Sequence, residues 1–507
     1  MVVVFPFFRQ RFTRHDRTRG SSVEVQGHAR KCGFRRLLAW SGLLLAVATW
    51  PGTDAALAAS ARPPNLVLIL SDDQGFDLGA FGKKEFVTPH LDRMAAEGVR
   101  GTNFYNTASV CTPSRSGLIT GRQPLRNGTY EMIRNDMVNY GHRYTPTEYA
   151  ISPEMTLGLD VREKTFGDIL RPAGYTNAVF GKWDMGQARR FLPLQRGFDE
   201  FYGHGNNGID YYTHERYGAP SMFKGNDRTT AEKGTYATEI FRREAVSFIQ
   251  RNRARPFCLY LPFNAPHGAS NLEKDSNQVP ESYLKKYYPN RDPREARTKY
   301  AGMVSAMDEA IGEVFATLRE LQLDRTTLVL FCADNGRNGG QIDGVPLRGG
   351  KGSGFEGGLR TPLIAWWPGV LPAGATSHEF LTSLEVLPTL AAVAGAKIPP
   401  DLILDGFNML PVLQGKTKSP RTEMFWDWPS VFQAARIDRY KWVSFVPRGR
   451  RGEVEAKEEL FDLTSDPSEK KDLAAERPAV LADVKARFAR WRAEMDAAEP
   501  RGPFRNF

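Results

Sequence analysis

Four apolar runs along this chain are each followed at once by residues that can ionise or bind a ligand. Asn65–Leu70 leads into Ser71-Asp72-Asp73-Gln74-Gly75, and Thr327–Cys332 leads into Ala333-Asp334-Asn335-Gly336. Asn177–Phe180 leads into Gly181-Lys182-Trp183-Asp184, and Phe257–Phe263 into Asn264-Ala265-Pro266-His267. Ligands of a parallel sheet bind beyond the carboxyl ends of its strands, so these residues belong at one edge. A single aspartate there is most often a turn or cap residue. Asp-Asp after one strand and Asp-Asn after another read differently. Three carboxylates and an amide gathered at one edge repel one another unless a cation sits among them. Their oxygens suit a hard ion, calcium or magnesium, better than zinc. Asp72, Asp73, Asp334 and Asn335 are the candidate metal ligands.

A second kind of chemistry is offered by Val110-Cys111-Thr112-Pro113-Ser114-Arg115-Ser116-Gly117. Thr112 and Pro113 have the form of an N-cap and a first helical residue, with the helix ending near Gly121. Cys111 then lies at a positive helix end, where anions bind and a thiol is activated. Arg115, one turn in, can present its fork to an oxyanion. Cys258 and Cys332 lie inside apolar runs and read as inert core residues.

Something must position these groups. Apolar, β-rich runs alternate with helical patterns at Pro89–Glu97, Thr238–Arg251 and Lys299–Leu321. That alternation predicts an α/β fold with a large, mostly parallel sheet sandwiched by helices. Thr88-Pro89 offers a cap and first residue for the first of these helices. After about residue 420 the texture changes. Short strand-like pieces (Thr422–Trp426, Tyr440–Val446, Glu459–Leu463) precede a charged helix over Pro478–Ala497. The expected division is 63–420 for a catalytic domain and 421–507 for a smaller α+β subdomain. The loop Tyr202–Tyr217, with His204, Asn206, Asn207 and His214, is either a substrate-touching loop or plain surface.

The chain has 507 residues and a net charge of +10. Residues 1–58 carry nine basic side chains against Asp16, Glu24 and Asp54, +6 of that total, which leaves +4 for the rest. A charge so distributed calls for no nucleic-acid partner. Arg35-Arg36, the apolar run Leu37–Trp50 and Ala56-Leu57-Ala58 have the form of an export signal. The alternative is an uncleaved N-terminal anchor, although the run is short for a membrane span. Export places the protein in a periplasm or outside the cell, or in a lysosome or secretory route if the source is eukaryotic. Asn127-Gly128-Thr129 is a glycosylation sequon in that last case. Four cysteines are too few for a disulfide scaffold.

Cys111-Thr112-Pro113-Ser114-Arg115 resembles the C-x-P-S-R signature of formylglycine-dependent sulfatases, members of the alkaline phosphatase superfamily. The resemblance runs from about Asn65 to Leu473. It takes in Ser71–Gly75, Thr88–Asp92, Gly181-Lys182-Trp183, Asp334-Asn335-Gly336, Gly350-Lys351-Gly352, Glu356-Gly357-Gly358 and Glu459–Leu463 with Asp466-Pro467. It implies that a maturation enzyme oxidises Cys111 to Cα-formylglycine. The hydrate of that aldehyde attacks sulfur, and its second hydroxyl then expels sulfate. It further implies calcium on Asp72, Asp73, Asp334 and Asn335. Arg115, Lys182 and Lys351 would hold sulfate oxygens or the modified residue, and His267 would protonate the leaving oxygen. One position departs from the pattern: many sulfatases have histidine where this chain has Asp184. Asp184 is a candidate base, or the mark of altered substrate contacts. The expected substrate is a sulfate ester of a carbohydrate, since an exported enzyme meets sulfated polysaccharides and glycosaminoglycans, with a simple aryl sulfate beside it. The alternatives are a phosphodiesterase or phosphonate monoester hydrolase of the same superfamily, and a catalytically silent anion-binding homologue.

Overall fold

Asn65–Leu70 (NLVLIL) has no polar side to turn to water, and it becomes the middle of a sheet covered on both faces. In the computed structural model the described residues are 62–504, apart from 136, 139–140 and 447–455. They fall within one compact unit, Ala61–Phe507. The expected export segment 1–58 lies outside the described residues. Among the described residues no helix is long and apolar enough to cross a membrane.

The principal strands are β1 (Asn65–Ser71), β2 (Val99–Tyr105), β3 (Thr176–Lys182), β4 (Glu200–His204), β5 (Phe257–Pro262), β6 (Thr327–Ala333) and β7 (Arg360–Trp366). They lie in the order β2-β7-β6-β1-β5-β3-β4 within an eleven-stranded sheet. From β6 to β4 all pairings are parallel. The sheet as a whole is mixed, because β7 runs antiparallel to both β6 and β2. The run containing β7 is interrupted by Pro362, which sits at a register shift against β2 between Thr361 and Leu363. Proline removes a ladder donor, so a strand is tolerated there only with such an irregularity. β4 also falls where a loop was expected: His204 is its last residue.

Successive residues of β1 point to opposite faces and divide between two cores. Val67 and Ile69 pack with the helices α1 (Pro89–Glu97), α3 (Ala237–Asn252) and α4 (Ala296–Glu320). Leu66, Leu68 and Leu70 pack with α2 (Cys111–Thr120) and α5 (Val386–Ala394). The result is helix, sheet, helix, with the parallel strands delivering their carboxyl ends to one edge. A second sheet, antiparallel, is formed by β8 (Glu423–Trp428), β9 (Phe432–Ile437), β10 (Tyr440–Phe445) and β11 (Lys457–Asp462). The helix α6 (Pro478–Ala497) covers it through Val484 and Phe488.

Neither expected side-chain cap forms. Thr88 is the N-cap of α1 but spends its hydroxyl on Asp92 at 3.0 Å. The helix α2 starts at Cys111 itself, with Val110 as N-cap, and Thr112 turns its hydroxyl to Asp184. Asn127 is fully buried and its amide donates to Ser116 at 3.2 Å, so the sequon is closed to modification in the folded chain.

Candidate active site

The candidate residues from four strand ends and two loops meet in one place. Asp72 and Asp73 follow β1, Lys182 ends β3, His267 follows β5, and Asp334 and Asn335 follow β6. Close strand packing makes this possible. A Cβ on Gly181 would sit 1.9 Å from the Pro262 carbonyl oxygen, so only glycine lets β3 approach β5 just before Lys182. Asp73 takes a left-handed backbone (φ 58°), which costs an ordinary residue roughly 1–2 kcal/mol. Its amide there donates to Asp334 Oδ1 at 3.1 Å, tying the two strand ends together.

Cys111, 1% exposed, opens α2 into this cluster. Its Sγ lies 3.5 Å from Asp72 Oδ1 and 3.9 Å from Asp73 Oδ1, and Lys351 Nζ donates to it at 3.4 Å. Lys351 also donates to Asp73 Oδ2 at 2.6 Å. Lys182 donates to Asp72 Oδ2 at 2.6 Å. Arg115, fully buried, donates to Asp334 Oδ2 at 2.9 Å and to the Lys182 carbonyl at 2.9 Å. His267 places Nε2 3.6 Å from Asp73 Oδ2, and Nδ1–H donates to the Gly268 carbonyl at 2.6 Å. It occupies the turn after Pro266 and belongs to the cluster as well.

Burial and crowding set the charges. Burial pushes the carboxyl groups of Asp72 and Asp334 up, and Asp334 is raised further by Asp72. Burial also acts to raise Asp73, but Lys351, His267 and Lys182 outweigh it and hold Asp73 below the usual carboxylate range. Burial and the Asp72 charge push the Cys111 thiol well above its ordinary value, despite Lys182 and Lys351. Burial first, and the Asp72 charge second, thus oppose the thiolate expected at the helix end. Burial, with Lys351 and Lys182, pushes His267 down to about 3 against the pull of Asp73, leaving a neutral imidazole.

The donor set fits a hard cation. Asp72, Asp73, Cys111 and His267 each bring a ligand atom within 4.8 Å of the others. Asn335 Nδ2 donates to Asp73 Oδ1 at 2.8 Å, while its buried Oδ1 has no hydrogen-bond partner. An orphaned amide oxygen beside three crowded carboxylates is what a dication would satisfy. Asp72, Asp73, Asp334 and Arg115, Lys182, Lys351 balance in charge, so a bound dication leaves the pocket positive and ready for an anion.

Asp184 is set one layer back. It is buried with φ 58°, accepts from Thr112 Oγ1 at 3.0 Å and from Asn207 Nδ2, and lies 3.6 Å from Lys182 Nζ. Asn207 also donates to Thr112 Oγ1 at 3.0 Å. Plain surface is excluded for the loop that was left open: His204, Asn206, Asn207 and His214 are all buried. Of these Asn207 reaches the site's supporting layer, while His214 bonds the Thr235 carbonyl and Asn206 bonds Ser221. The Thr112–Asn207–Asp184 triad carries no local sequence signal, because its members are separated by loops whose path only folding sets.

A family model described as Sulfatase matches residues 64–396, and one described as N-sulphoglucosamine sulphohydrolase, C-terminal, matches residues 351–494. Human arylsulfatase A is 33% identical over 493 residues, covering 89% of this chain and 91% of its own length. Dog N-acetylgalactosamine-6-sulfatase is 32% identical over 419 residues, 78% of this chain and 74% of that protein. Among solved structures, Ps i-CgsB in complex with k-i-k-neocarrahexaose superposes with a TM-score of 0.72 at 28% identity, covering 85% of this chain and 93% of that one. The phosphonate monoester hydrolase of Agrobacterium radiobacter, at 19% identity and TM-score 0.57, shares the fold. This chain belongs to the sulfatase family and is a sulfuric ester hydrolase.

Proposed function

We propose that this protein removes sulfate from a sulfated carbohydrate, using a calcium ion and a Cα-formylglycine made from Cys111 by a maturation enzyme. The observation that carries the reading is the crowding of Asp72, Asp73 and Asp334 about Cys111, with Asn335 Oδ1 left orphaned. Asp72, Asp73, Asp334 and Asn335 would hold the cation, which supplies charge neutralisation and orientation at the sulfate. Hydrated formylglycine would supply two hydroxyls, one as the nucleophile toward sulfur and one to release the sulfate, a pair that the Cys111 thiol does not offer. Lys351 and Lys182 bracket the sulfate oxygens, and Arg115 fixes Asp334 and the end of β3. His267 is oriented by its Nδ1–H bond to Gly268, which leaves Nε2 free of a proton; Nε2 would take up the proton that the attacking hydroxyl gives up and pass it to the departing alcohol. Asp184 acts as a positioning residue, holding Thr112 and Lys182, and so the first turn of α2, from behind. The carbohydrate substrate is supported by the sulfatases of sulfated sugars among the relatives. Export, read from residues 1–58, fits such a substrate.

The test combines peptide mass spectrometry of residue 111 with turnover. Protein made with a formylglycine-generating enzyme is expected to carry the aldehyde and to release sulfate from 4-nitrocatechol sulfate. Full activity with an unmodified Cys111 would sink the mechanism. Faster release of phosphate from a phosphodiester than of sulfate would replace the reading with that of a phosphodiesterase.

A further inference from the structure

A cavity of about 540 Å³ is lined by Arg143, Tyr149, Glu154, Arg216, Tyr217 and Arg228 among others. It adjoins a second of about 390 Å³ that shares Arg143, Tyr217 and Leu272 and runs to Ala269, two residues past His267. The mechanism uses none of these side chains.

A chain of contacts leads from the cavity wall to His267. Its back wall is Arg216, whose guanidinium donates to Ser270 Oγ at 3.0 Å and to the Gly208 carbonyl at 3.3 Å. Gly208 in turn packs on His267: a Cβ there would stand 3.2 Å from the imidazole Cε1. Its floor is the buried pair Arg216–Glu154, at 2.7 Å, with Gln187 donating to both Tyr149 and Glu154. Gln187 is three residues beyond Asp184.

The charge of the walls selects a ligand. Arg216 is neutralised by Glu154. Among the described residues no carboxylate pairs with Arg143 or with Arg228. Arg228 donates to Gln187 Oε1 at 3.2 Å and rests over the Phe223 ring at 4.7 Å. Two exposed guanidinium groups without counter-ions, beside the rings of Tyr149 and Tyr217, match an anionic group on a ring with apolar C–H faces.

We propose that this cavity is a second saccharide subsite, taking the sugar next to the sulfated one through an anionic substituent, carboxylate or sulfate, held by Arg143 and Arg228. The inference rests on the reading of the chain as a carbohydrate sulfatase, and two separate readouts keep them apart. Turnover of 4-nitrocatechol sulfate, which carries no second sugar, tests the sulfatase reading alone. Titration calorimetry with chondroitin 6-sulfate and ι-carrageenan tetrasaccharides tests the cavity without needing turnover. The mature protein is expected to bind at least one of them, and Arg143→Gln with Arg228→Gln to weaken that binding tenfold or more. Aryl sulfate kcat/KM should stay within twofold. Carboxyl-reduced chondroitin 6-sulfate then separates the sources: lost affinity assigns the carboxylate, retained affinity the sulfate. The proposal is overturned if the unaltered protein binds neither tetrasaccharide, if the double variant binds as tightly, or if the variant loses aryl sulfate turnover in proportion.

Discussion

The loop 349–358 contributes to two groups of buried charges that are put together differently. Lys351 reaches into the site, where it meets Asp73 and Cys111. Five residues on, Glu356 enters a cluster beneath the second sheet. There Lys441 Nζ donates to Glu356 Oε1 at 2.8 Å and lies 3.2 Å from Glu469 Oε1. Tyr105 donates to Glu356 Oε2 at 2.6 Å, and the Glu356 amide donates to Glu469 Oε2 at 2.8 Å. Lys441, Glu356 and Glu469 are all fully buried. In this lower cluster the carboxylates are separated by a cation and by fixed donors, so it works as a clamp between the loop and β10. In the site the carboxylates face a common space with the orphaned Asn335 Oδ1 among them, whereas the orphaned oxygen of the lower cluster, Glu469 Oε1, has the Lys441 ammonium 3.2 Å away. A buried cluster that closes on itself stabilises; one left open toward a shared point is prepared for something that arrives later.

Each cluster can be broken in a way that distinguishes them. Cys111→Ala should lower aryl sulfate turnover more than about 10⁴-fold, ~5.4 kcal/mol of barrier, with little change in unfolding midpoint. Lys441→Met leaves two buried carboxylates with one cation fewer, and should cost about 3–5 kcal/mol in urea unfolding while the surviving folded fraction keeps its turnover. A large loss of kcat instead would mean that the clamp belongs to the site. Adding calcium to chelator-treated protein should raise stability by about 2.7 kcal/mol at a hundredfold excess over Kd, read as a shift in melting temperature. Asp73→Asn should abolish that shift and Lys441→Met should not.

A further effect is one of pH. Burial pushes Glu469 up to about 7, against the attraction of Lys441 and with Glu356 adding to the rise. The native state then keeps a proton that the unfolded chain gives up from about pH 4.5. Its contribution to stability is present below that value and is lost as pH rises toward 7. Glu469→Gln keeps the acceptor for the Glu356 amide and should flatten the fall of unfolding free energy across this interval, by up to about 3 kcal/mol. An unchanged slope would assign the pH dependence elsewhere.

Much of the site could be read along the chain, for a simple reason. The strands that carry it are buried on both faces, so they appear as unbroken apolar runs, and each is followed directly by its functional residue. Asp72, Asp73, Lys182, His267, Asp334 and Asn335 were found that way, and Cys111 and Arg115 by the constraint on their neighbours. β7 and β4 escaped that reading. Pro362 interrupts the first, and the second is short and ends in histidine among glycines and aromatics. The environment of the Cys111 thiol is not legible along the chain, because the burial and the Asp72 charge that oppose the helix end come from β1.

The sequence by itself determined the layered α/β plan, the identity of the acids and bases, and which strand ends bear them. Tertiary structure alone decided that Thr112 spends its hydroxyl on Asp184 and Asn207 instead of capping α2, and that Glu356, Lys441 and Glu469 close on one another across 113 residues of chain. It also decided that Arg143 and Arg228 stand on one cavity, with no carboxylate paired to either among the described residues. The physical reason is range. Hydrophobic periodicity and turn chemistry act over a few residues and are written locally. Desolvation and Coulomb energies depend on what surrounds a charge in space, and the chain acquires those surroundings only when it folds.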